Sequence, residues 1–117
     1  KIFNHGKLKR DFTYIDDIVS GIISSMSIDK KYSIYNLGNN KSVSILELVS
    51  LIEDELEMKA KIEFLPERMA DVKQTFANID QSIADLDYNP NIEIDFGVKK
   101  FIDWYKNYKS KNIDSLI

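Results

Sequence analysis

The chain has 117 residues, 44% of them apolar and 30% charged, with a net charge of −3. That length suits one globular domain, 1–117, burying roughly two thirds of its unfolded surface, while the acidic balance argues against a nucleic-acid partner. No apolar run approaches the roughly 20 residues of a bilayer span, so no membrane partner is expected, and one His with no Cys argues against disulfides and a thiolate or histidine-rich metal centre. Small anionic ligands stay open, because two or three well-placed basic side chains suffice for them. Lys1 stands where an initiator Met would, which reads as a fragment, and cytoplasm is the expected compartment.

From Lys1 to Phe12 the pattern predicts a hairpin, two extended pieces around a turn at His5-Gly6-Lys7. Ile15, Ile18, Val19, Ile22, Ile23 and Met26 then fall at helical spacing, the stripe of an amphipathic helix that would bury that face. Gly21 interrupts it at a cost of about 1 kcal/mol against Ala, and its missing side chain suits close packing. Tyr32 to Leu37 is a strand candidate, closed by the turn signal Gly38-Asn39-Asn40.

Ser44 and Glu47 match a capping box and open a helix with Ile45, Leu48, Val49, Ile52 and Leu56 on one face. Glu47, Glu53, Asp54 and Glu55 on its other face read as solvated charge. Ile62 and Phe64 alternate with charged neighbours as a half-buried strand does, and Pro66 ends it. Residues 67–74 are polar and aperiodic, a loop, and Thr75 to Ile79 returns to strand character. Asp80 caps a short helix, Asn89-Pro90 breaks the chain, and Asp95 caps a last helix with Val98, Phe101, Ile102, Tyr105 and Tyr108 as its buried stripe. From Ser110 the polar tail is expected to fray. Strands and helices mix without repeats, so the fold class is α/β in the broad sense, mixed α+β.

Four stretches carry a resemblance, in order along nearly the whole chain. They are Phe3-Asn4-His5-Gly6-Lys7-Leu8-Lys9-Arg10-Asp11-Phe12-Thr13-Tyr14-Ile15-Asp16-Asp17-Ile18-Val19; Tyr35-Asn36-Leu37-Gly38-Asn39; Phe64-Leu65-Pro66 with Asp71-Val72 and Thr75 to Asn78; and Phe96-Gly97 to Phe101 with Trp104 and Tyr105. Together they resemble the C-terminal, substrate-binding lobe of the extended short-chain dehydrogenase/reductases, the NAD-dependent epimerase/dehydratase family, most closely its UDP-glucuronate 4-epimerase branch. The resemblance implies a small sheet packed with helices and a Rossmann half missing from these residues. That half would hold NAD and supply a Tyr-x-x-x-Lys pair, and the full-length protein would be a cytoplasmic homodimer assembled through it, working on a UDP-sugar through a 4-keto intermediate in surface polysaccharide biosynthesis. An apolar patch that normally faces it would be bare here, open to artefactual self-association. A nucleotide-sugar dehydratase or decarboxylase of the same superfamily, or a binding module without chemistry, is the alternative.

Site residues follow from the same motifs. Arg10 matches the arginine of the family's Arg-Asp-(Phe/Tyr) signature, which contacts the diphosphate; a guanidinium fork suits phosphate oxygens, and an ion pair with Asp11, Asp16 or Asp17 is the competing reading. Arg68 and Asp71 align with the clamping loop, Arg68 to hold phosphate and Asp71 to accept from ribose hydroxyls. Met69-Ala70 replaces the family's usual Pro-Gly before that aspartate, and the glucuronate branch more often has Gln at the position of Arg68. Phe3 and Asn4 match the segment that meets the uracil edge, with core packing as the alternative for Phe3. His5 is expected to be a turn residue only. Asp16 and Asp17 open a helix, where negative charge is favoured, rather than forming an acid/base pair. Trp104, Tyr105 and Tyr108 are expected to pack. No catalytic, cofactor-binding or metal-binding residue is expected in these residues: the glycines are too scattered for a dinucleotide turn, and Tyr105 with Lys109 satisfies Tyr-x-x-x-Lys by coincidence.

Overall fold

This computed structural model of the chain describes residues 1–113, with side chains through Lys109. Four helices dominate: α1 (Ile15–Ser25), α2 (Ile45–Leu56), α3 (Asp80–Leu86) and α4 (Ile94–Ile113). A two-stranded antiparallel sheet, β1 (Lys9–Arg10) and β2 (Val43–Ser44), pairs Lys9 with Ser44 and Arg10 with Val43. The architecture is small α+β.

The expected hairpin at the start does not form, because β1 finds its neighbour in β2 instead. The turn itself is real and tight: Asn4, His5 and Gly6 all take positive φ, at 51°, 49° and 80°. Asn and Gly tolerate that region, and a Cβ on Gly6 would stand 2.8 Å from the Leu46 side chain. The chain before and after the turn lies parallel to 63–75, through isolated bridges Ile2 to Phe64 and Lys9 to Gln74.

The other expected strands also stay unpaired. Around Phe64 only that single bridge forms, and neither 32–37 nor 75–79 enters a ladder among the described residues. Side chains take the backbone groups instead: Asn36 Nδ2 donates to the Asn78 carbonyl at 3.1 Å, and Ser82 Oγ donates to the Asn36 carbonyl at 2.6 Å. A strand assignment needs a neighbour as well as a pattern.

The core gathers Ile79, Leu86 and Tyr88, with Ile28, Tyr35, Leu37 and Ala77 packed against it. α1 meets this core with its small and polar side, since its buried residues are Asp17 and Gly21. A Cβ on Gly21 would lie 2.6 Å from the Leu37 side chain and 3.0 Å from the Tyr88 ring, so glycine sets how closely the helix seats. The predicted apolar stripe consequently faces outward, with Ile15, Ile23 and Met26 60%, 60% and 80% exposed.

α2 packs on α4. Ser44 caps α2 by accepting the Glu47 amide at 3.0 Å, the half of the capping box that satisfies an orphan donor. Glu53 is not the free surface charge expected: it accepts from Lys59 Nζ at 2.8 Å and the Ala60 amide at 2.7 Å, and these contacts lower its pKa. α4 begins at Ile94, one residue before Asp95. Of its expected stripe, Ile102 is buried, while Phe101, Tyr105 and Tyr108 are exposed; Trp104 stacks on Tyr108 with centroids 5.3 Å apart and meets Phe101 at a tilt, 5.7 Å away. The helix runs on to Ile113, three residues past the expected loosening at Ser110, and the rest of that tail lies outside the described residues. No described helix is long and apolar enough to cross a membrane.

Candidate functional site

The sequence-predicted residues fall into one cluster and one outlier. The segment before the turn lies against 63–66, with the Ile2 amide on the Glu63 carbonyl, the His5 amide on the Leu65 carbonyl and the Asn4 amide on the Pro66 carbonyl at 2.9, 3.1 and 3.4 Å. This contact brings the start of the 67–72 loop beside Phe3. The Arg68 guanidinium lies over the Phe3 ring, 3.5 Å from its centre, a cation–π geometry. The Asp71 amide donates to the Arg68 carbonyl at 3.0 Å, so Arg68 and Asp71 stand at the two ends of one turn. Arg68 is exposed, Phe3 and Asp71 half-buried and Asn4 buried.

Arg10 sits apart from this cluster, on β1. Its Nη1 donates to the Lys9 carbonyl at 2.8 Å. The competing ion pairs do not form: among the described residues no carboxylate lies within 4.0 Å of Arg10. Two of the three candidate partners are occupied elsewhere. Asp17, buried at the start of α1, accepts the Asn91 amide at 3.3 Å and the Ile92 amide at 3.1 Å. Asp11 accepts backbone amides from two other segments. Asp17 therefore acts on the fold through a clasp 74 residues away in sequence, not only through the helix dipole. A lone aspartate at a helix start carries no signal for such a bond.

Tyr88 is the most enclosed ionisable group, 2% exposed, and its hydroxyl donates to the Gly38 carbonyl at 3.0 Å. Burial raises its pKa, and the charges of Asp17 and Asp11 add to the effect. On the surface, Lys30 donates to Asp85 at 2.6 Å and the Tyr35 hydroxyl to the same oxygen at 3.0 Å. These bonds lower the Asp85 pKa and raise that of Lys30. Each of these contacts ties two segments of the fold together.

Concavities of about 380, 280 and 300 Å³ lie elsewhere: between α2, α4 and residues 12–14, at the end of α2, and beside Gly38. None is lined by Phe3, Asn4, Arg10, Arg68 or Asp71. Arg68 and Phe3 lie together outside these three concavities, and Arg10 lies apart on β1. No group of three metal-ligating side chains occurs among the described residues.

A nicotinamide dinucleotide does not fit the glycines of this chain. Binding its pyrophosphate needs a glycine turn open to the ligand at a helix N-terminus. Here the Cβ directions of Gly6, Gly21, Gly38 and Gly97 point at Leu46, Leu37, Ala77 and Tyr14. Tyr105 and Lys109 are both exposed near the end of α4.

No protein-family model matches the chain. Individual proteins do. It is 42% identical over 107 residues to a UDP-glucuronate 4-epimerase of Thermodesulfobacterium geofontis, covering 91% of this chain and 33% of that protein. It is 39% identical over 117 residues to UDP-glucuronate 4-epimerase 5 of Arabidopsis thaliana, covering 88% and 27%. Among solved structures, the UDP-glucuronic acid 4-epimerase of Bacillus cereus in complex with UDP-glucuronic acid and NAD superposes with a TM-score of 0.82 at 31% identity, over 92% of this chain and 35% of that one. The chain thus spans about a third of the length of the relatives it matches. By sequence and by fold it is similar to about a third of the length of proteins named as UDP-glucuronate 4-epimerases.

Proposed function

We propose that this chain is the C-terminal substrate-binding domain, 1–117, of a cytoplasmic UDP-glucuronate 4-epimerase. In this reading Arg68 grips the diphosphate with its guanidinium fork, Asp71 accepts from ribose hydroxyls, and Phe3 with Asn4 borders the uracil. Arg10 supplies a second cation to the diphosphate. The observation that carries the proposal is the placement of Arg68 against Phe3 and at one end of a turn with Asp71, in a chain whose relatives carry that activity in their names.

Such contacts supply binding energy remote from the reacting carbon, which holds the sugar in line for chemistry performed elsewhere. NAD would be held, and the sugar hydroxyl deprotonated, by residues outside these 117, and the homodimer contacts would lie there too. These 117 residues alone would be inactive. With one wall of a cleft, they would bind UDP-sugars poorly, with Kd on the order of millimolar; micromolar binding by calorimetry contradicts the half-site reading.

The decisive assay incubates the full-length enzyme with UDP-glucuronate and follows the sugar by proton NMR. Accumulation of the C4 epimer is expected. Release of carbon dioxide with a pentose product would point to a decarboxylase, and no turnover would leave a binding module.

A further inference from the structure

We propose that Asp11 is a positioning residue for Arg10, a role that rests on the reading of Arg10 as a diphosphate contact. Its carboxylate is where chain segments distant in sequence meet. Oδ1 accepts the Asn39 amide at 2.9 Å; Oδ2 accepts the amides of Asn40 at 3.1 Å and Ala77 at 2.9 Å. The Thr13 hydroxyl adds a longer contact to Oδ1 at 3.4 Å. Gly38 completes the clasp, since a Cβ there would stand 2.9 Å from Asp11 Oδ2 and 2.5 Å from the Ala77 Cβ. Backbone can approach the carboxylate this closely only because that side chain is missing.

The backbone on either side of Arg10 is held as well. The Lys9 amide donates to the Lys73 carbonyl at 3.0 Å, and the Thr75 amide to the Lys9 carbonyl at 3.3 Å. The Asp11 amide donates to Thr75 Oγ1 at 3.4 Å, and on its other edge Arg10 pairs with Val43. The backbone of Arg10 is thus braced on two sides, while its guanidinium has a neighbour's carbonyl as its partner.

Asp11 also bears on the charge of the site. A carboxylate adjacent in sequence to an arginine is a ready competitor for it. Backbone amides hold Asp11 in charge-assisted hydrogen bonds and turn it away from that pairing, which leaves the Arg10 cation for an anionic ligand. An asparagine cannot reproduce the arrangement: it keeps one acceptor oxygen and sets an NH₂ group against an amide donor.

The test is a kinetic double-mutant cycle in the full-length enzyme, with KM and kcat for UDP-glucuronate and a thermal midpoint for each variant. Arg10→Ala is expected to raise KM about tenfold. Asp11→Asn is expected to raise it about fivefold with kcat within about twofold, because the binding it weakens is shared by ground and transition states. The double variant should then show no higher KM than Arg10→Ala, since the aspartate acts through the arginine. A normal KM in Asp11→Asn, or an Asp11→Asn effect undiminished in the Arg10→Ala background, overturns the proposal while the reading of Arg10 stands. An unchanged KM in Arg10→Ala overturns that reading, and the proposal with it. Should Asp11→Asn fail to fold, Thr75→Val at an exposed position removes one brace with little change of shape. It is expected to raise KM about twofold, and an unchanged KM there counts against the proposal.

Discussion

Two regions of the chain that lie side by side are built in opposite ways. Around Asp11, Asp17 and Tyr88, acidic and phenolic side chains reach across as many as 75 residues to hold backbone groups. In the 67–72 loop, which carries Arg68 and Asp71, one turn bond, one ion pair from Glu67 to Lys73 and one cation–π contact hold the segment among the described residues. The first region is a frame. The second keeps Arg68 exposed, with the Phe3 ring beneath its guanidinium. Asp11 and Asp17 spend their carboxylates on backbone amides, while Arg68 and Asp71 enter no ion pair among the described residues.

Breaking the frame should have the largest effect. Asp17→Ala leaves the half-buried Asn91 and Ile92 bonds without the acceptor that buried Asp17 supplies and should cost about 3 kcal/mol in urea unfolding; a loss under about 1 kcal/mol would mean that water replaces the carboxylate there. Next comes Gly21→Val, whose side chain would meet Leu37 and Tyr88. The expected loss is about 2 kcal/mol from overpacking, read by the same measurement, and neutrality would show that α1 can shift outward.

Tyr88→Phe removes the bond to the Gly38 carbonyl and should cost about 1 kcal/mol at neutral pH. It also sharpens the comparison through pH. Burial raises the Tyr88 pKa in the fold above its ordinary value, so the unfolded chain loses this proton first. Stability from this group is therefore fully present below pH of about 10 and lost as pH rises through the folded pKa. Urea midpoints between pH of about 9 and about 11 should fall less steeply in Tyr88→Phe than in the unaltered chain; equal slopes would remove Tyr88 from the account. The smallest effect belongs to the loop: Arg68→Ala should change stability by about 0.5 kcal/mol or less, the worth of an exposed cation–π contact.

Much of this is legible in the sequence, and the exceptions have physical causes. The four helices follow from the spacing of Ile15 to Met26, Ile45 to Leu56, Asp80 to Leu86 and the final apolar repeat, because helical hydrogen bonds are local. Which side of α1 faces the core is not legible. A period locates an apolar stripe without naming its partner, and here Gly21 and Asp17 take the inner place. The strands expected at 32–37 and 75–79 do not form for a related reason, since pairing depends on a neighbour that local pattern does not reveal. The motifs assign Arg10, Arg68 and Asp71 to one diphosphate nucleotide; in the structure Arg68 lies over Phe3 and shares a turn bond with Asp71, while Arg10 lies apart on β1. The roles of Asp11, Asp17 and Tyr88 rest on bonds across long stretches of chain, for which one sequence holds no local sign.

Titration of UDP into the full-length enzyme by calorimetry, unaltered and as Arg68→Ala, tests the division between frame and gripping loop most directly. The account predicts an affinity about tenfold weaker in the variant, the worth of one charge-assisted hydrogen bond to phosphate, with an unchanged thermal midpoint. Equal affinities, or a midpoint that falls with the affinity, would contradict it.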